Sequence, residues 1–183
     1  MTAQINDSVI HSKTNWALAG ANGGPLFDPA AHGLGVRPAS SACWRGFVCT
    51  YEIRDWALLL VDMKVSLNGP APRLLNTDPE QLRNMWFTAS YRDLNYPIPF
   101  TGSILLARDF IRGRYAHRGF APGWKYERVL EVELEGGRVS SVTDCSDDMA
   151  AIRQRVAGAG QPGVRNSEAE VMNWIERAFS RRH

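Results

Sequence analysis

Basic and aromatic side chains are concentrated between residues 108 and 128, and this segment holds the densest set of groups that could do chemistry. Its basic residues are Arg108, Arg112, Arg114, Arg118, Lys125 and Arg128, and its aromatic residues and histidine are Phe110, Tyr115, His117, Phe120, Trp124 and Tyr126. Guanidinium groups make bidentate contacts with carboxylates and phosphates, and aromatic rings stack on nucleobases. The segment therefore predicts a surface for an acidic ligand or a nucleic acid. The alternative is that the arginines face solvent while the aromatic rings enter the core.

His117 is the histidine best placed for general acid–base chemistry, because it lies between Tyr115 and Arg118 in this segment. Histidine titrates near neutral pH, as a general base must. A thiol–imidazole pair with Cys43 or Cys49 is one arrangement, and a structural or surface histidine is the other. The remaining histidines are scattered, and neither HExxH nor paired CxxC spacing occurs, so we predict no bound metal.

Three glutamates alternate along a second candidate segment, at Glu131, Glu133 and Glu135. On a β-strand such residues lie on one side of the sheet, about 7 Å apart. This pattern is typical of a solvent-exposed face and also fits a paired-carboxylate site.

The composition and net charge of the chain indicate which classes of protein and of partner are excluded. The 183 residues are 44% hydrophobic and 22% charged with a net charge of +2, which is typical of one globular domain without a bulk attraction to nucleic acid or membrane. The apolar stretch from Trp56 to Val61 is too short to cross a bilayer, and residues 1–13 lack the features of a signal peptide.

The three cysteines, Cys43, Cys49 and Cys145, form no CxxC pair. Cys43 and Cys49 are predicted to lie on the same face of one strand, too far apart for a disulfide bond. The sequence therefore predicts free thiols in a reducing cytoplasm.

Alternating hydrophobic residues predict two β-hairpins, and these must position the candidate groups. The hairpins pair residues 47–53 with 56–65 across a turn at 54–55, and residues 126–134 with 138–143 across Gly136-Gly137. Residues 16–19 and 103–107 are predicted as shorter strands. Residues 20–42 form a long Gly/Pro loop, and 1–13 are a candidate disordered terminus.

Helix signals complete the predicted fold. Asp78, followed by proline and three residues later by glutamine, predicts a helix N-terminus. Two further helices are predicted near the C-terminus, over 147–156 and 167–179. We therefore predict a single α+β domain over residues 1–183, with a mainly antiparallel sheet of two hairpins, helices packed on it and helices at its C-terminus.

Two segments resemble small bacterial proteins of uncharacterised function. They are Cys43-Trp44-Arg45-Gly46-Phe47, continuing through Tyr51-Glu52-Ile53-Arg54-Asp55, and Phe120-Ala121-Pro122-Gly123-Trp124-Lys125-Tyr126. The resemblance covers about residues 43 to 143. It implies a bacterial, cytosolic, single-domain protein and brings no activity with it.

Three shorter fragments resemble the mono-ADP-ribosyltransferases. Cys43-Trp44-Arg45-Gly46, Thr101-Gly102-Ser103 and Glu131-Val132-Glu133 follow the order of that family's Arg, Ser-Thr-Ser and Glu-x-Glu motifs, although Gly102 departs from the pattern. The resemblance implies NAD as cofactor, with Arg45 and Ser103 holding it and Glu133 as the catalytic carboxylate.

No assembled catalytic constellation is visible in the sequence, so whether the chain is an enzyme stays open. Our first hypothesis is a non-enzymatic interaction protein without a cofactor, binding a protein partner, with a toxin-neutralising immunity protein as one form. Its expected binding residues are Trp44, Arg45, His117, Arg118, Trp124 and Tyr126. An NAD-dependent transferase using Arg45, Ser103 and Glu133 is the alternative. Nucleic-acid binding through residues 108–128 is the second alternative and the less favoured one.

Overall fold

A computed structural model describes residues 3–82, 86–111 and 120–159, the last four of these as backbone only. These residues form ten β-strands and one α-helix. The strands are β1 (Ser8–His11), β2 (Thr14–Asn22), β3 (Phe47–Arg54), β4 (Ala57–Val65), β5 (Glu80–Gln81), β6 (Ala89–Tyr91), β7 (Tyr96–Pro97), β8 (Gly102–Phe110), β9 (Tyr126–Glu135) and β10 (Arg138–Asp144), and the helix is α1 (Ser146–Ala159).

All ten strands belong to one sheet, in the order β10-β9-β8-β2-β1-β3-β4-β6-β5, with β7 also paired to β4. Strands β1 and β3 run parallel, and the other pairs among the described strands are antiparallel. Strand β10 also meets β4, where Arg138 pairs with Ala57. The sheet therefore curls until these two strands touch, which closes it around an inner face.

Both predicted hairpins are present. The β3–β4 turn has positive φ at Asp55 and Trp56, 51° and 60°, and the β9–β10 turn has φ of 55° and 85° at Gly136 and Gly137. Two successive residues with positive φ give the turn a twist that matches the flanking strands. The alternating hydrophobic residues therefore predict the strands, and the geometry of each turn sets the register in which the strands pair.

The main core fills the inner face of the closed sheet. Val9, Tyr51, Leu60, Ile104 and Val132, from five different strands, are each at most 1% exposed. A second cluster lies on the outer face of β8 and β9, beneath α1. It consists of Ala107, Trp124, Tyr126, Val129, Met149 and Ile152. The helix thus covers one part of a sheet whose larger core is internal.

The α+β prediction is wrong in its main feature. Of the described residues, 49% are in strands and 12% are helical, and together they form one α-helix and a large mixed sheet. The helix predicted from Asp78 is wrong as well, since Glu80 and Gln81 form β5 and pair with β6. Cross-strand pairing overrides a capping signal that has no long apolar stripe behind it. Helix α1 agrees with the prediction for 147–156, whereas 167–179 lies outside the described residues.

The segments predicted as a candidate disordered terminus and a long loop contain regular structure. Strand β1 lies within 1–13 and sits between β2 and β3. In the 20–42 segment, Phe27 and Leu34 are 6% and 3% exposed, and a 3-10 turn spans Pro29–His32. Across residues 3–82, 86–111 and 120–159 we find no helix long and apolar enough to cross a membrane.

Candidate functional site

Arg45 is held by a buried carboxylate at the entrance to β3. Its two terminal nitrogens donate hydrogen bonds to Asp7 Oδ2 at 2.7 Å and Oδ1 at 2.5 Å. Asp7 is 6% exposed and the Arg45 side chain is 28% exposed. The Cys49 backbone N–H also donates to Asp7 Oδ1, at 2.6 Å. One carboxylate therefore ties the loop before β3 both to β3 and to the chain just before β1.

Aromatic rings flank the same guanidinium group. The Arg45 Cζ atom is 4.9 Å from the centroid of the Phe47 ring and 5.5 Å from that of Phe120. These are distances at which a cation and a ring attract each other. Phe120 is 46% exposed and Trp44, the residue before Arg45, is 65% exposed. We call Trp44, Arg45, Phe47 and Phe120 the Arg45 patch.

Gly46 lets the chain turn into β3 directly after Arg45. Its φ is +78°, and a Cβ atom there would lie 2.0 Å from the Arg37 carbonyl oxygen. Glycine alone adopts this conformation at such close approach without strain. The Gly46 carbonyl accepts from the Ser66 N–H at 2.8 Å, and the Trp44 N–H donates to the Gln4 side chain at 3.0 Å. Backbone and side-chain contacts thus fix the loop that presents the Arg45 patch.

Burial and the contact between Arg45 and Asp7 together set the electrostatics of the site. It raises the pKa of Asp7, and the hydrogen bonds and charge of Arg45 oppose part of that rise. Burial pulls the pKa of Arg45 down, but the hydrogen bond and charge of Asp7 outweigh it and raise this pKa overall. Burial also raises the pKa of the Cys43 and Cys49 thiols. Because the thiolate is the reactive form, neither cysteine has the environment of a nucleophile.

The three cysteines are free and buried, and the prediction of free thiols is confirmed. Cys43 precedes β3 rather than belonging to it, which corrects the prediction that Cys43 and Cys49 share one strand. The Cys43 thiol donates to the Phe47 carbonyl at 3.5 Å. His117, the imidazole partner considered for these thiols, lies outside the described residues.

Two of the three residues suggested by the transferase resemblance lie together. Ser103 and Glu133 are directly opposite each other on β8 and β9, and the Ser141 hydroxyl donates to the Glu133 carboxylate at 2.7 Å. Arg45 is bound to Asp7, and no described contact joins it to either of the other two.

The glutamates of β9 differ in their access to solvent. Glu131 is 7% exposed, Glu133 is partly exposed and Glu135 is exposed. The three side chains therefore do not form one solvated row, which was the simpler interpretation of their spacing.

The residues predicted to bind a partner also differ in exposure. Trp44 is on the surface and Arg45 is partly exposed, whereas Trp124 and Tyr126 are each 8% exposed beneath α1, where their rings pack in the second cluster. Arg118 belongs, like His117, to residues 112–119, which lie outside the described part of the chain. The predictions for this basic segment therefore stay predictions.

Asp7 is the residue that sequence reasoning misses. It stands two positions before Val9, next to a strand of four residues, and the arginine it binds is 38 positions further along the chain. A lone aspartate before a short strand carries no recognisable signal for such a pairing. Phe120 is visible in the sequence only as one aromatic residue among several.

Among the described residues, no three His, Cys, Asp or Glu side chains are grouped as a metal site requires. The expectation that the protein binds no metal stays a prediction. Comparisons of the chain with protein-family models, with curated proteins and with solved structures found no match.

Proposed function

We propose that this chain is a non-enzymatic binding protein that docks a protein partner on the Arg45 patch. The observation that carries the proposal is the exposure of Trp44, the residue before Arg45, and of Phe120, whose ring lies 5.5 Å from a guanidinium group that a buried carboxylate already holds in place. Tryptophan and arginine are among the residue types that most often dominate the free energy of protein interfaces.

The patch is preorganised, which favours tight binding. Arg45 is oriented by Asp7 and by two aromatic rings before any partner arrives, so little rotamer entropy remains to be lost. Trp44 is 65% exposed, and burying that remaining surface stabilises a complex by about 3 kcal/mol, or roughly a hundredfold in Kd.

Charge indicates the chemistry of the partner. Asp7 compensates Arg45 within the protein, so the patch presents aromatic surface rather than an unpaired cation. The partner is therefore a protein surface that contributes apolar side chains. A toxin neutralised by an immunity-type protein is one concrete form, and the three buried free thiols support a cytoplasmic location.

An NAD-dependent transferase is the second candidate, and the pairing of Ser103 with Glu133 supports it. In that case NAD should raise the Tm of the protein, and Glu133→Gln should remove transferase activity while keeping the fold. The binding proposal expects no shift with NAD. A shift that Ser103→Ala and Glu133→Gln both abolish would favour the transferase.

The binding proposal is tested by quantitative co-purification from the source organism with isotope-labelled bait. Wild type, Trp44→Ser and Phe120→Ser are compared with Trp56→Ser as the matched control, because Trp56 is 63% exposed at the β3–β4 turn. We expect one protein to be lost from both patch variants and retained by the control. That protein is then purified, and its Kd is measured for all four baits, with a rise of roughly a hundredfold expected for Trp44→Ser.

Two results would overturn the binding proposal. One is retention of every bound protein by Trp44→Ser at the level of wild type. The other is a purified candidate whose Kd changes equally for Trp44→Ser and for the Trp56→Ser control, since that would indicate a general loss of stability or solubility.

A further inference from the structure

Two arginines lie directly opposite each other on neighbouring strands of the closed sheet. Arg108 on β8 is directly paired with Arg128 on β9. Arg108 is two residues from Leu106, which belongs to the main core, and Arg128 is two residues from Leu130, which packs against it. Like charges placed opposite each other on neighbouring strands destabilise a sheet. A negative charge between the two would therefore be stabilising.

Trp16 brings the two guanidinium groups to one place. The Arg108 Cζ atom is 5.5 Å and the Arg128 Cζ atom 5.8 Å from a ring centroid of its indole. Trp16 lies on β2, is 5% exposed and belongs to the main core. Both arginines thus reach the same indole, although they come from different strands.

Several N–H groups around the Trp16 indole have no hydrogen-bond acceptor among the described residues. Among the described residues the buried indole N–H of Trp16 has no acceptor. Arg108 uses its Nε for Asp109 at 3.2 Å, and Arg128 lies near enough to Asp144 to lower the pKa of that carboxyl, after the larger effect of hydrogen bonds from Ser146. Within the described ranges, the terminal nitrogens of the two arginines make no hydrogen bond to a protein acceptor.

We propose that Arg108, Arg128 and the Trp16 indole form a binding site for the carboxylate or phosphate group of a small ligand. Guanidinium groups recognise the oxygens of these anions through paired hydrogen bonds, and the indole N–H supplies a further donor. The bound anion relieves the repulsion between the two arginines. Each arginine has one acidic neighbour, Asp109 beside Arg108 and Asp144 near Arg128. The site uses none of the residues of the Arg45 patch and goes beyond the binding function proposed there.

The test uses the full chain with inorganic phosphate and acetate as probes. Thermal unfolding is followed in each sodium salt against sodium chloride at matched ionic strength, and binding is measured by calorimetric titration. Wild type is compared with Arg128→Gln, an exposed position, and with Trp16→Phe, which keeps an aromatic ring and removes the donor. The matched control is Arg92→Gln, because Arg92 is 67% exposed and pairs on the surface with Glu80.

We expect a saturable rise in the Tm of wild type and of Arg92→Gln with at least one of the two anions. Arg128→Gln should lose this rise, and Trp16→Phe should bind about tenfold more weakly. Saturation with acetate assigns a carboxylate ligand, and saturation with phosphate alone assigns a phosphate ligand. Equal shifts in wild type and Arg128→Gln would indicate a general salt effect and overturn the site. The absence of saturable binding of both anions to wild type would overturn it as well.

Discussion

Replacing Arg45 by glutamine removes the guanidinium group that donates two hydrogen bonds to the buried Asp7 carboxylate. Asp7 is 6% exposed and would keep the Cys49 backbone N–H as a donor, at 2.6 Å. A glutamine amide supplies no positive charge, so an ionised carboxylate remains in a poorly hydrated environment. We therefore expect Arg45→Gln to lower the free energy of unfolding at neutral pH.

The size of the loss follows from the burial of the two partners. Removing one partner of a buried ion pair costs about 3–5 kcal/mol, and the 28% exposure of the Arg45 side chain places this pair near the lower end, at about 3 kcal/mol. For a domain of this length, such a loss lowers the Tm by about 6–12 °C. The matched control is Arg54→Gln, whose partner Glu52 is on the same strand and more exposed than Asp7. We expect the control to change the Tm very little.

The loss should also depend on pH. Because burial raises the pKa of folded Asp7 above its ordinary value of 3.8, the contribution of this carboxyl to stability is largest below that value and is lost as the pH rises through the folded pKa. Without Arg45 the folded pKa rises further. The difference in free energy of unfolding between wild type and Arg45→Gln should therefore be smaller at pH 4 than at pH 7.

Urea unfolding at both pH values, followed by far-UV circular dichroism, measures these differences. Asp7→Asn and the Asp7→Asn/Arg45→Gln double variant complete a double-mutant cycle, and we expect a coupling energy of about 1–3 kcal/mol. Equal losses for Arg45→Gln and Arg54→Gln, or a coupling energy near zero, would show that the buried pair does not stabilise the loop before β3.

Three further predictions concern the thiols, the turn and the helix. Because all three cysteines are buried and burial raises the pKa of Cys49, the native protein should react with a thiol reagent far more slowly than the urea-unfolded protein. Rapid native labelling would contradict this. Gly46→Ala should cost about 1–3 kcal/mol, because the new Cβ meets the Arg37 carbonyl at positive φ, and an unchanged urea midpoint would count against the described turn. Met149→Ala, at a side chain of α1 that is 1% exposed, should cost about 2–5 kcal/mol in urea unfolding. A loss no larger than that of an exposed residue would mean that α1 does not pack on the sheet.

The two hairpins could be predicted from the sequence because their signals are local. Period-two alternation marks each strand, and the residues at each turn connect strands that are adjacent in sequence. The closed sheet could not be predicted in this way. Its closure depends on a pairing between Arg138 and Ala57, and strands β1, β5, β6 and β7 have two to four residues each, too few to show a period.

The candidate site could be predicted in part. Residue type selects Trp44 and Arg45, because tryptophan and arginine are common anchors at interfaces. Their exposure differs from that of Trp124 and Tyr126, and nothing in the residue types distinguishes the two pairs. The difference in exposure comes from the packing of α1 on β9, because Trp124 and Tyr126 lie in the second cluster beneath the helix. The role of Asp7 rests on a contact between distant segments, which no local pattern indicates.

Oxidative footprinting of the purified complex with mass spectrometry shows whether a protein partner covers the Arg45 patch. Trp44 and Trp56 are exposed to similar extents in the free protein, 65% and 63%, and serve as probe and internal reference. We expect strong protection of Trp44 in the complex and an unchanged oxidation rate at Trp56. Oxidation of Trp44 at the same rate in the complex and in the free protein would contradict it.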